Sequence, residues 1–172
     1  MTYIGPDDEV WMAIPEYENQ TAVYNYREPD GRISFQKVKL EWFAEERKGG
    51  EERRLGKSFR YRSYCDVRSG CIAGFHNEKP ARANRLLYNL PDVIEAVQDG
   101  GRTIWVTEGE KDCYLWGEVV RNDRTRAGDV VTTWHQGAEV GMSMGQGRWL
   151  RGCTDIRVIA DNDSAGAYAA WK

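Results

Sequence analysis

No stretch of this 172-residue chain approaches the apolar run that a membrane-spanning helix needs, so a membrane span is not favoured. The opening MTYIGPDDEVWM is acidic and lacks the basic-then-apolar order of a secretory leader, so the expected location is the cytoplasm. Four cysteines, Cys65, Cys71, Cys113 and Cys153, include no CxxC pair, and a leaderless chain of this size gives no reason to expect a disulfide framework. Cys65, Cys71 and His76 sit close enough in sequence to raise zinc. Their spacing is wrong for common structural sites and no fourth ligand is apparent, so the cysteines read better as small buried apolar residues.

What is present is ordinary for a folded protein: 41% apolar and 30% charged residues, enough for one domain or two small ones with a real core. The net charge of −3 conceals a local excess. Arg53, Arg54, Lys57, Arg60, Arg62 and Arg68 face only Asp66, so that segment carries +5 and the remainder −8. One segment is therefore suited to phosphate and the rest is not.

The front half has the pattern of β structure. AVYNY alternates Ala22, Tyr24 and Tyr26 on one face, EPDG (Glu28 to Gly31) has the Pro and Gly placement of a turn, and RISFQKVKLEWF resumes the alternation, which predicts a hairpin. The apolar phase slips from Ile33 and Phe35 to Val38, Leu40 and Trp42, which predicts a bulge near Gln36 and Lys37. Residues 45–56, with mixed charge and paired glycines, are expected to be an exposed loop. SFRYRSY then sets Phe59 and Tyr61 on one face and Arg60 and Arg62 on the other, with Tyr64 nearby as a stacking surface. A basic face of this kind suits a nucleic-acid backbone. Taken alone, the pattern favours a half-buried strand with a solvated face.

NLPDVIEAVQDGG predicts a short amphipathic helix, with Pro91 at a first position, Asp92 and Glu95 in the first turn and Gly100 as the stop. Beyond it TIWVT, EKDCYLWGEVVR, DVVTTW, DIRVIA and SAGAYAAWK read as strand, helix, strand, strand and helix. The fold class is thus α/β, or α+β overall: a β-rich N-terminal subdomain over 1–79, a connecting helical element over 80–100, and a mainly parallel sheet flanked by helices over 101–172.

Two apolar strands in that last region run straight into acids. TIWVT meets Glu108, Gly109, Glu110, Lys111 and Asp112, and IRVIA meets Asp161, Asn162 and Asp163. In open α/β sheets, strand carboxyl ends face the crevice where ligands bind, so Glu108 and the Asp161/Asp163 pair are expected along one edge. Hard oxygen ligands of this kind suit Mg²⁺ or Mn²⁺ and the chemistry of phosphoryl or nucleotidyl transfer. The competing structural reading makes Asp163 or Ser164 a helix cap and Glu110 and Asp112 ornaments of a first helical turn. For Glu110 that reading is preferred.

These residues resemble a TOPRIM domain, the metal-binding module of topoisomerases, bacterial-type primases and some nucleases. Glu108-Gly109-Glu110-Lys111-Asp112 matches its Glu-Gly-x-x-Asp, and Asp161-Asn162-Asp163 matches its Asp-x-Asp. YNYREPDG, FRYR and LLYNLPD are similar to the segments that precede TOPRIM in primases and primase-helicases of phages and plasmids, with Asn89 standing where Gly is usual. The resemblance implies a DNA primase that makes RNA primers on a single-stranded DNA template from ribonucleotides. It implies Glu108 as general acid/base and metal ligand, Asp161 and Asp163 as metal ligands, and Asp112 as a supporting catalytic carboxylate. Arg85 would contact template or nucleotide, Arg60 and Arg62 the nucleic-acid backbone, and Lys111 phosphate. For a phage-borne chain the location would be the host cytoplasm. The zinc-binding module usual at the start of such primases is not readable, and the sequence stops at Lys172, two turns into a helix, where a TOPRIM sheet continues. A TOPRIM-like sheet truncated at its C-terminus is thus expected, along with a further partner in the form of a downstream primase or helicase segment or chain. Strand cleavage, or nucleic-acid binding without catalysis, are the alternatives; no tyrosine is marked as a topoisomerase nucleophile.

Overall fold

A computed structural model describes residues 19–45, 52–65, 74–76, 80–136 and 140–161. Asp163, Cys71 and the helix expected over SAGAYAAWK fall outside them. The described residues divide into two compact units, one of 19–25 with 33–80 and one of 26–32 with 81–161. The protein is mixed α/β. No helix among the described residues is long and apolar enough to cross a membrane.

The first unit is built on a four-stranded sheet in the order β1-β2-β3-β4, formed by β1 (Asn19–Arg27), β2 (Ile33–Glu45), β3 (Glu52–Cys65) and β4 (Gly74–His76). The turn joining β1 to β2 falls at Glu28–Gly31, as its sequence predicts: Gly31 N–H donates to Glu28 O at 2.9 Å, and Gly31 adopts φ 84°, a conformation cheap for glycine. β2 and β3 pair antiparallel from Phe35 opposite Ser63 to Trp42 opposite Gly56 without interruption. In this ladder the bulge expected near Gln36 and Lys37 is therefore not there. The register slips between Trp42 and Phe43 instead, where Leu55 is passed over. The reason is that Ile33 through Val38 are all buried, so both faces of this stretch are covered and polar residues interrupt the apolar phase without a change of face. The expected loop over 45–56 is also shorter, because β2 runs to Glu45 and β3 begins at Glu52. Trp42 explains one glycine. Its indole lies across the ladder so close to the Gly56 Cα that a Cβ there would enter the ring.

The second unit holds a three-stranded parallel sheet in the order β6-β5-β7, from β5 (Thr103–Thr107), β6 (Val130–Thr132) and β7 (Asp155–Ile159). In the central strand β5, Ile104, Trp105, Val106 and Thr107 are all buried, as a strand covered on both faces requires. Burial of each large apolar side chain contributes about 1.5–3 kcal/mol, which makes β5 the anchor of the unit. Helix α2 (Glu110–Asn122) crosses from β5 to β6 and packs Cys113 and Val120 with Trp105 and Val131; Tyr88, Trp116 and Ile159 close around them. Helix α1 (Leu90–Asp99) starts with Pro91 in its first turn and stops at Gly100, φ 67°, as the sequence signals it should, and buries Leu90, Val93 and Ala96. The segment before it covers the edge of β6. Tyr88 N–H donates to Thr133 O at 2.9 Å, Thr132 Oγ1 donates to Tyr88 O at 2.6 Å, and Asn89 Nδ2 donates to Val131 O at 3.0 Å.

A short helix α3 (Met144–Gly147) carries a capping box between Ser143 and Gln146. Ser143, Gln146 and Trp149, three residues apart and so on one helical face, grip the 3-10 turn Ala81–Arg85 by its carbonyls. Gln146 Nε2 donates to Ala83 O and Leu86 O (3.4 and 3.1 Å), Ser143 Oγ to Asn84 O (2.5 Å) and Trp149 Nε1 to Arg85 O (2.6 Å). The Asn84, Arg85 and Leu86 carbonyls at the end of the turn thereby gain side-chain donors, and the Ala83 carbonyl, which already accepts the Leu86 N–H at 3.4 Å, gains a second.

Candidate metal site at two strand tips

β5 and β7 are parallel neighbours, with Thr107 opposite Ile159, so the two acidic tips leave the sheet side by side. Glu108 follows β5 directly and Asp161 lies two residues past β7. Glu108 Oε1 accepts a hydrogen bond from the Asp161 backbone N–H at 2.9 Å. Glu108 is half-buried and Asp161 exposed among the described residues.

The crowding of Glu108, Glu110 and Asp112 is relieved by direction. Gly109 is the N-cap of α2, in extended conformation, and Glu110 and Asp112 occupy the first turn, where the helix dipole and free N–H groups favour negative charge. Asp112 folds back over that N-terminus: a Cβ at Gly109 would lie 3.5 Å from its Oδ2. Glu110 turns inward. It is 4% exposed and its Oε1 accepts from Tyr26 Oη at 2.6 Å. Glu108 alone of the three reaches toward β7. The turn itself is clamped by threonines, for Thr107 Oγ1 donates to Gly109 O at 3.1 Å and Thr133 Oγ1 donates to Thr107 O at 2.7 Å. Cys113, one residue on, is no nucleophile. Burial first, then the Glu110 charge, push its thiol up to about 12 against a Thr107 hydrogen bond that lowers it, so it stays protonated at neutral pH.

Among the described residues no group of three or more His, Cys, Asp or Glu side chains is gathered to hold a metal ion. Mg²⁺ commonly takes one or two carboxylates and completes its shell with water and substrate phosphate, so the donor chemistry of Glu108 and Asp161 fits such an ion. Asp163, the third expected ligand, lies outside the described residues, as does Cys71 of the zinc trio.

The basic residues scatter. Lys111 is exposed on α2 beside the acids, and Arg85 is exposed at the end of the 3-10 turn whose carbonyls Ser143, Gln146 and Trp149 hold. Arg60 and Arg62 belong to β3 in the first unit. Arg60 is exposed, but Arg62 is 0% exposed, and its burial lowers the pKa of the guanidinium. The solvated basic face expected on SFRYRSY is therefore interrupted: Arg62 is interior, while Phe59, from the face expected to be covered, is 41% exposed with Lys37 Nζ 4.5 Å from its ring centre. Alternation could not reveal this, because it tells which residues share a face and not how far along the strand that face is covered.

Asn89 is explained by backbone geometry. It has φ 54° and ψ 34°, the left-handed region that glycine enters freely and asparagine tolerates best among the others. Its side chain also donates to Val131 O. Sequence reading missed Tyr26 and the inward role of Glu110. It also passed over the gripping set, although Ser143-x-x-Gln146 carries a capping-box signature.

No protein-family model matches this chain, and no curated protein matches it.

Proposed function

We propose that this chain is a DNA primase component that joins ribonucleotides into RNA primers on single-stranded DNA, using Mg²⁺ or Mn²⁺ held by Glu108, Asp161 and Asp163. The observation that carries the reading is the 2.9 Å hydrogen bond from the Asp161 N–H to Glu108 Oε1, which joins the tips of two adjacent parallel strands. The TOPRIM-like order of the two acidic motifs supports it. When bound, the cation supplies charge neutralisation for phosphate oxygens.

The protein's own groups do the rest. Glu108, with Oε1 engaged by the Asp161 amide, keeps its other oxygen to hold the ion or accept a proton from the attacking hydroxyl. Asp112 adds negative charge at the first turn of α2. Arg85, on an element fixed through its carbonyls, contacts template or incoming nucleotide; Lys111 meets phosphate and Arg60 meets the DNA backbone. Arg62 could join them only if its surroundings opened. A downstream primase or helicase segment or chain completes the assembly, which works in the cytoplasm, that of the host if phage-borne.

Primer synthesis on single-stranded DNA with Mg²⁺ or Mn²⁺, with and without the downstream partner, tests this. Asp161→Ala is expected to lower incorporation by a factor of at least about 100, the order seen when metal-supporting groups are lost. No incorporation by the intact protein in any of these settings overturns the reading. Nicking of DNA without incorporation would assign the same carboxylates to strand cleavage. Salt-dependent binding without turnover would leave only nucleic-acid binding.

A further inference from the structure

Four consecutive residues leave β5, and three of them are tied down from the interior: Thr107 through Gly109 O and Thr133 Oγ1, Gly109 through Thr107 Oγ1, and Glu110 through Tyr26 Oη. Gly109 O also accepts the Cys113 N–H at 2.9 Å, which closes the first turn of α2. Tyr26 is itself fully buried, tilted against Tyr88 with ring centres 5.5 Å apart and edge-on to His135 at 6.4 Å. A phenol wedged between two rings and bonded to a buried carboxylate at 2.6 Å has little freedom. Its carboxylate partner lies two residues from Glu108.

We infer that Tyr26 is a positioning residue: by holding the Glu110 carboxylate in the interior, it orients the turn so that Glu108 meets Asp161 and Glu110 does not compete for the cation. A TOPRIM-like acidic motif carries no information about this, because Tyr26 lies 84 residues before Glu110. The consequence for cation affinity rests on the metal reading above; the orientation of Glu108 does not.

The Asp161 amide, bonded to Glu108 Oε1, is a built-in reporter of that orientation. Residue-resolved hydrogen exchange and Mn²⁺ titration of the intact chain are compared for the unmodified protein, Tyr26→Phe, Glu110→Gln and Glu108→Gln. Tyr26→Phe is expected to speed Asp161 amide exchange about tenfold, since a bond to a charged acceptor is lost. The Trp105 and Val106 amides in the middle of β5 are expected to exchange at their original rate. Glu110→Gln keeps an oxygen that accepts from Tyr26 and is expected to stay within about twofold for both Asp161 exchange and Mn²⁺ affinity. Unchanged Asp161 exchange in Tyr26→Phe overturns the inference, and so does equal acceleration throughout β5, which would make Tyr26 merely structural. Glu110→Gln weakening Mn²⁺ as much as Glu108→Gln also overturns it, because Glu110 would then be a ligand. If the unmodified protein binds no Mn²⁺, the metal reading fails by itself and the exchange rates still decide the role of Tyr26.

Discussion

The third strand of the front sheet and the tip of the central strand in the parallel sheet both juxtapose charge with apolar residues, and in both neighbouring charges part ways. On β3, Arg62 goes inside and Phe59 stays partly out; at the end of β5, Glu108 faces outward while Glu110 goes inside to Tyr26. In each place a charged side chain has entered the interior where the local pattern put it at the surface. A buried charge is costly unless it is met by specific partners, and those partners come from distant parts of the chain, as Tyr26 does for Glu110. Charge near the surface of a sheet is thus a poor guide to function until its partners are known.

The contrast within β3 can be broken most directly with Arg62→Ala, which removes one of the largest fully buried side chains and should cost about 3 kcal/mol of unfolding free energy in denaturant titration. Its neighbour two residues back should behave in the opposite way. Arg60→Ala should change stability by less than about 0.5 kcal/mol while weakening single-stranded DNA binding and reducing its salt dependence. If Arg62→Ala is as well tolerated as Arg60→Ala, the interior assignment is wrong.

Next in size, Gln146→Ala should cost about 2 kcal/mol, because the Leu86 carbonyl and His135 Nδ1 lose the buried amide and the Ala83 carbonyl keeps only the Leu86 N–H. Gln146→Glu should be no better, since a carboxylate cannot donate to them. Gly56→Ala comes close behind at about 1–2 kcal/mol in thermal or denaturant unfolding, provided the Trp42 indole has to move; Trp42→Ala in the same background should remove the specific penalty of the added methyl. Among the substitutions expected to destabilise, the mildest is at Asn89. Asn89→Ala should cost about 1 kcal/mol for the left-handed backbone, with the lost bond to Val131 O adding to it, and Asn89→Gly should recover the backbone part.

Local signals that act within a few residues were readable with little loss. The Glu28–Gly31 turn, the start of α1 at Pro91 and its stop at Gly100, and the strand character of TIWVT and DIRVI all depend on neighbours in the chain. The adjacency of Glu108 and Asp161 was inferable too, from the rule that parallel strands point their carboxyl ends the same way. Harder positions are those where both faces of an element are covered. Ile33 through Val38 look out of phase only if one face is assumed wet, and that assumption produced a bulge in the wrong place.

By itself the sequence determined the class of the fold, the order of its longer strands and helices as far as β7, and the two acidic tips, because periodicity, capping residues and turn residues work at short range; the short β4 and α3 escaped it. Only the tertiary structure decided which charges are interior, which carbonyls Ser143, Gln146 and Trp149 satisfy, and which way each carboxylate of the Glu108–Asp112 turn points. Those outcomes depend on side chains tens of residues apart meeting in a medium where an unpartnered polar group costs free energy, and no local pattern encodes that meeting.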